Sequence, residues 1–283
     1  MRKLVRSHIA NWLQTLVFLG LLIGLAAIVM WFLLGGGAAF VGVGLIIVYL
    51  TRSTTVAASQ VLQALGANPV PSWEYPELQE MVLNLARRSG IESVVRIHVI
   101  PTYAINAFST GSRREPHLAI TWGLVQALTL RELRGVVAHE IAHIANNDLK
   151  ILELSRYAGR IMSLLSLVGQ VILFLNLPLI LFGLVALPSS MVLLIGLGPT
   201  LVLLLQLKIT RVREFQADAA AIGLTHDPEG LISALLKMDE VSSFHFAPWL
   251  ARVPSARVPE WLRTHPSTVK RIARLRSLRN APA

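Results

Sequence analysis

The sequence predicts a mostly α-helical membrane protein: four transmembrane helices in two hairpins, with a polar α+β domain divided between the segments that follow them. Two observations lead there. Of 283 residues only 15% are charged and mean hydropathy is +0.59, against about 25% charged in soluble globular domains. Two stretches, residues 7–51 and 161–207, contain no Asp, Glu, Lys or Arg at all. This composition excludes intrinsic disorder, which needs high charge and few apolar residues. It also excludes an ordinary water-soluble globule, which could not cover so much apolar surface. The chain has no cysteine, so disulfide and thiolate chemistry are excluded.

Each charge-free stretch is more than twice the roughly 20 residues of one helical crossing, so each reads as two crossings and a tight turn. In the first, Gly35-Gly36-Gly37 supplies the turn. In the second it falls between Asn176-Leu177-Pro178 and Leu187-Pro188-Ser189-Ser190, and the later site is favoured because it leaves more even spans. A cleaved signal peptide starting at Met1-Arg2-Lys3 is disfavoured, because the apolar run far exceeds the roughly 7–15 residues of a signal core. Arg2, Lys3, Arg6, Arg52, Arg160, Lys208, Arg211 and Arg213 all lie at the open ends of the hairpins. The positive-inside rule then places both termini and both polar regions on the cytoplasmic face. The expected organisation is a hairpin over 1–51, a first polar part over 52–160, a second hairpin over 161–207, and a second polar part over 208–283.

In the polar parts, Pro69, Pro71 and Pro76 break the helix leaving the first hairpin. Leu78, Met81, Val82 and Leu85 give a helix over 76–89. β-Branched runs predict strands over 94–100 and 117–121, the second after a turn at Gly111–Arg114. Thr129 and Glu132 have capping-box spacing and open a long helix. Another helix is expected over 209–223, and Asp227-Pro228 starts a third as N-cap and first helical residue. The proline-rich 242–262 reads as a loop, and 267–279 as a short basic helix. The net charge of +10 suits anionic lipid headgroups, to which Lys270, Arg271, Arg274, Arg276 and Arg279 would lie close. Nucleic acid is not an expected partner, since no aromatic residues interleave with these cations.

The sharpest chemical signal is His139-Glu140-Ile141-Ala142-His143. On a helix, residues four apart share a face, so both imidazoles can ligate one Zn²⁺ at about 2.0–2.1 Å. Glu140 lies about 100° further round, beside the metal, where it can take a proton from an attacking water. The motif is expected by chance only about 0.01 times in a chain of this composition. A third ligand is needed, and Glu214 is the best candidate. Asp218, four residues on, can accept the free ring N–H of a ligand histidine. The competing reading of Glu214 is an ion pair with Arg211 or Arg213. His143 and Glu214 can meet only if 161–207 crosses the bilayer an even number of times or dips in and returns. His8, His98, His117, His226 and His245 have no partner spacing and read as surface or packing residues.

Four pieces in order carry a resemblance: Asn106-Ala107-Phe108-Ser109-Thr110-Gly111, His139 through Asp148, Glu214-Phe215-Gln216-Ala217-Asp218, and Thr264-His265-Pro266 followed by Arg271-Ile272. Together they resemble the HtpX-like membrane zinc metalloproteases, a gluzincin family that also includes the CAAX prenyl endopeptidases. The resemblance implies a cytoplasmic zincin-like α+β protease domain with one Zn²⁺ per chain. It implies His139, His143 and Glu214 as ligands and Glu140 as general base. It implies Asn106, Ala107 and Phe108 as an edge strand binding substrate, and His265 and Arg271 as oxyanion donors. It further implies a bacterial cytoplasmic membrane and unfolded or misfolded membrane proteins as substrates. Two other readings are carried forward: processing of prenylated CAAX tails, and a non-catalytic scaffold with a structural metal.

Overall fold

The computed structural model describes residues 58–71, 73–184, 189–244 and 267–279, with scattered, mostly helical positions between 13 and 48. Most of the first hairpin, most of the proline-rich loop and His265 lie outside the described residues. In chain order the elements are α1 (Ala58–Ala64), β1 (Asn68–Pro69), α2 (Pro76–Arg88), β2 (Arg96–Ile100), β3 (Ala107–Gly111) and β4 (Pro116–Thr121). There follow α3 (Trp122–Ala127), α4 (Leu130–Ala145), α5 (Asp148–Leu175), α6 (Leu177–Leu181), α7 (Ser189–Thr225), α8 (Pro228–Phe244) and α9 (Thr268–Arg279). The chain divides into two compact units, one of residues 1–54 and 151–209, the other of 55–150 and 210–283.

Helix α5 and the 195–225 part of α7 are long and apolar enough to cross a membrane. Leu164, Leu167, Val171, Phe174 and Leu193 are exposed, a surface that lipid rather than water suits. The first long helix ends at Leu175, at the earlier of the two expected turn sites, because Pro178 has no N–H to continue the ladder. The short α6 and Gly183, at φ +71°, follow. Among the described positions of the first hairpin, Gly35 has φ +82° and donates its N–H to the Trp31 carbonyl (3.0 Å), as a turn there requires.

Polar side chains knit α5 to α7. Pro199 lies inside α7 and cannot donate to the carbonyl four residues back, that of Ile195. Ser166 repairs this: its buried Oγ donates to the Ile195 oxygen at 2.6 Å, and Gln170 donates in turn to Ser166. One turn pattern further along, Gln206 donates to the Ser155 carbonyl at 2.6 Å, in the space Gly159 leaves. In hydrocarbon an unmet backbone group is costly. Ser166→Ala is therefore expected to destabilise the chain by about 1–2 kcal/mol. In a Pro199→Ala background, whose backbone N–H can bond Ile195, the same change should be nearly silent. Thermal midpoints of the four chains in detergent check this cycle; equal shifts in both backgrounds would refute it.

The second unit is built on a four-stranded sheet of order β1-β2-β4-β3, with β2 and β4 parallel and the outer pairs antiparallel. The registers Ile97↔Leu118 and Ser109↔Leu118 put these three residues on one face. Ile97, Leu118 and Ile120 pack in one core with Val137 and Ile141 of α4, Leu231 of α8 and Leu275 of α9. Each such aliphatic contributes about 1.5–3 kcal/mol by leaving water. The opposite face carries Ile100, Ala119 and Phe108, under Leu62 of α1. Helices α4 and α8 approach so closely that a Cβ on Gly135 would sit 2.9 Å from the Leu231 backbone.

His98 and His117 share this second face, and contrary to the expectation from spacing they are partners. His98 Nε2 lies 3.0 Å from His117 Nδ1, and both rings are buried. Burial first, then neighbouring positive charge, holds both below the ordinary histidine pKa, so the pair is neutral and one ring donates to the other.

The capping box is formed: Thr129 N–H donates to Glu132 Oε2 (2.8 Å) and Glu132 N–H to Thr129 Oγ1. Glu132 also accepts from Ser233 (2.6 Å) and Lys237 (2.8 Å) of α8. Burial alone would raise its pKa, but these hydrogen bonds, from Lys237 first, bring it down to about 2 from the ordinary 4.5. The carboxylate is thus favoured by folding. Its stabilisation is complete above 4.5 and is lost as pH falls through about 2. Glu132→Gln is expected to flatten the pH dependence of the melting midpoint across that window.

Candidate metal centre

The capping box fixes where α4 begins, and His139, Glu140 and His143 then fall on its last two turns, where the helix is buried from Gly135 to Ile144. The helix stops at Asn146, and Asn147 takes a left-handed φ of 57°, a conformation Asn tolerates at a helix end. That turn starts α5 at Asp148, whose Oδ2 lies 2.9 Å from His143 Nδ1. Glu214 and Asp218 sit four apart on α7, and Asp218 Oδ1 lies 3.0 Å from His139 Nδ1. Carboxylates here accept, so each ring carries a proton on Nδ1 and turns its Nε2 inward.

The inward atoms converge. The two Nε2 atoms are 3.2 Å apart; His139 Nε2 is 3.6 Å from Glu214 Oε2, and His143 Nε2 is 3.7 Å from Glu214 Oε1. Among the described residues these three are the one group of such side chains with ligand atoms so close together. Ligands about 2.0–2.1 Å from zinc at tetrahedral angles stand about 3.4 Å apart, so the donor set fits one such ion. Lone pairs of three buried groups pointed at one another require a positive charge between them. His139 shows this demand. Burial opposes its cationic form, yet hydrogen bonds to Asp218 and Glu214 outweigh burial and raise its pKa to about 9. The Asp218 carboxylate behind Nδ1 makes the ring a more basic metal ligand.

Each carboxylate behind a histidine is held by its own arginine. Asp148, fully buried, accepts from Arg213 at 3.0 Å. Asp218 receives the Arg271 fork, Nε at 2.9 Å and Nη2 at 2.6 Å. Burial would raise the Asp218 pKa, but Arg271 and then His139 bring it below the ordinary value. Arg271 Nη1 also lies 3.4 Å from Glu214 Oε2. Ile272 and Leu275, buried in the core, anchor α9 so that Arg271 reaches these groups. Two Arg–Asp–His chains therefore converge on one point.

The structure thus brings His139, His143, Glu214, Asp218 and Arg271 together, with Glu140 beside them. Glu140 Oε2 accepts a 2.9 Å hydrogen bond from Ser109 Oγ. Asn106 leads into β3, its backbone pinned by Thr121: Asn106 N–H donates to Thr121 Oγ1 (2.9 Å) and Thr121 N–H to the Asn106 carbonyl (3.0 Å). Ala107 is half-buried, and Phe108 turns to the face away from α4. Strand β3 pairs only with β4, so its outer edge is open among the described residues. Three participants were missed in the sequence: Asp148, Arg213 and Ser109. Arg213, counted there as a membrane-flanking charge, is instead buried on Asp148.

A single cation gripped by two imidazoles and a carboxylate, with an unligated carboxylate beside it, is the equipment of a metallopeptidase. The relatives of the chain agree. Residues 72–279 match peptidase family M48, and the chain belongs to that family. It is 36% identical to a protease HtpX homolog of Acaryochloris marina over 284 residues, 95% of this chain and 94% of the relative. A protease HtpX homolog of Pyrococcus furiosus is 34% identical, covering 95% and 96%. In fold it resembles S. mikatae Ste24p, with TM-score 0.55, 19% identity, and coverage of 97% of this chain and 67% of that one. The protein is a membrane metalloendopeptidase.

Proposed function

We propose that the chain is a zinc endopeptidase of the bacterial cytoplasmic membrane, with four crossings and a cytoplasm-facing site, that degrades misfolded or damaged membrane proteins. The triangle of ligand atoms on His139, His143 and Glu214, with Glu140 alongside, carries this reading. A bound zinc ion supplies Lewis acidity, polarising the scissile carbonyl and making water a better nucleophile. Glu140, as general base, takes the proton of the attacking water and delivers it to the leaving amine. Arg271 places positive charge beside the site, and His265 joins it in stabilising the oxyanion. Asn106, Ala107 and Phe108 present an open strand edge to which a peptide adds through main-chain hydrogen bonds. Recognition through the main chain tolerates many side chains, as clearing damaged proteins requires.

The test is cleavage of an unfolded casein-like protein by the full chain in detergent. Cleavage is expected to stop with a chelator, return with one equivalent of zinc, and be blocked by a hydroxamate. No zinc uptake, or uptake without cleavage, would refute the proposal. The CAAX-processing reading predicts turnover of a farnesylated peptide instead of casein.

A further inference from the structure

The edge strand does more than offer a backbone edge. Side chains alternate along β3: Phe108 lies against Ala119 and Ile100 on one face, while Ser109, opposite Leu118, faces α4. There the buried Ser109 hydroxyl meets Glu140 Oε2 at 2.9 Å. Within hydrogen-bond range the carboxylate accepts and the hydroxyl donates. Glu140 Oε1 takes no hydrogen bond from any described residue, so one oxygen is tethered and the other left for a proton in transit. The last torsion of a Glu side chain is broad and close to two-fold, so the helix alone does not decide which way the carboxylate plane faces. A single donor on a neighbouring strand does.

We propose that Ser109 is a positioning residue for peptide hydrolysis: its Oγ–H fixes the plane of the Glu140 carboxylate so that Oε1 faces the attacking water. This rests on the reading of Glu140 as general base. The hydroxyl makes no hydrogen bond to the ligand atoms or to the Asp and Arg residues behind them. It therefore acts on turnover rather than on metal retention, and on orientation rather than on the binding of the peptide backbone.

The experiment compares wild type, Ser109→Ala, Ser109→Thr and Glu140→Gln as full-length, detergent-purified, zinc-loaded chains. It measures zinc content, melting midpoint, and kcat and KM on a fluorogenic unfolded protein. Ser109→Ala is expected to hold zinc and melt like wild type, while kcat falls about tenfold and KM stays within about twofold. Ser109→Thr, with a wild-type melting midpoint, recovers most of kcat because it restores the donor. A wild-type kcat in Ser109→Ala, a loss carried in KM, a loss that follows missing zinc, or a Thr variant no better than Ala overturns the proposal. If Glu140→Gln cleaves at the wild-type rate, the reading of Glu140 fails and the proposal fails with it. If Glu140→Gln is inactive and Ser109→Ala is unchanged, only the role of Ser109 is lost.

Discussion

Glu140→Gln is expected to keep its zinc and lose at least about 10²-fold in proteolysis, the scale of a positioned general base. Glu140 lies outside the cluster of ligand atoms, so the metal has no reason to leave. The amide is isosteric and can still accept from Ser109, so the fold has no reason to change. What disappears is the proton acceptor. Zinc content and casein cleavage on the same sample check the prediction, and cleavage at the wild-type rate would end the case for Glu140.

The second large effect is expected at Asp148. Its carboxylate is fully buried between His143 and Arg213, and Arg213 is itself only 4% exposed. Asp148→Ala removes the carboxylate that faces a buried guanidinium, which costs up to about 3–5 kcal/mol, and removes the acceptor that orients His143, which costs about 10–100-fold in metal affinity. The two losses are separable. Adding Arg213→Met removes the buried charge that has lost its carboxylate and is expected to recover most of the melting midpoint, while zinc affinity stays low because His143 Nδ1 still lacks its partner. Melting curves and zinc competition titrations on wild type, single and double variants decide it. A double variant that regains zinc affinity would show that Asp148 acts only through Arg213.

Local signals were legible where one short segment holds all the physics. The Thr129/Glu132 box sets the start of α4, Asp227 accepts from the Gly230 N–H at the start of α8, and four-residue spacing pairs His139 with His143 and Glu214 with Asp218. The helix expected over 209–223 is the end of one that begins at Ser189, because the apolar run and the amphipathic run continue in phase with no breaker at their junction. What stayed hidden depends on register and on distant segments. Asp148 and Arg213 are separated by the whole apolar insertion. Ser109 reaches Glu140 only because β3 takes the edge of the sheet. His98 and His117 meet only because β2 and β4 run parallel. The need of Ile195 for Ser166 arises from a proline four residues along its own helix, whereas Ser166 sits on the other one.

The ion pair between Asp148 and Arg213 joins the two ends of the second unit that flank the apolar insertion. Since one carboxylate and one guanidinium span that gap, the backbone ends flanking residues 151–209 lie within reach of a connector of a few residues, as inserted domains commonly allow. The second compact unit is in this respect a closed body interrupted by an apolar insertion. A shortened chain in which a small loop replaces that insertion would keep every ligand and both supporting arginines, and would be the natural starting point for crystallising the enzyme free of detergent.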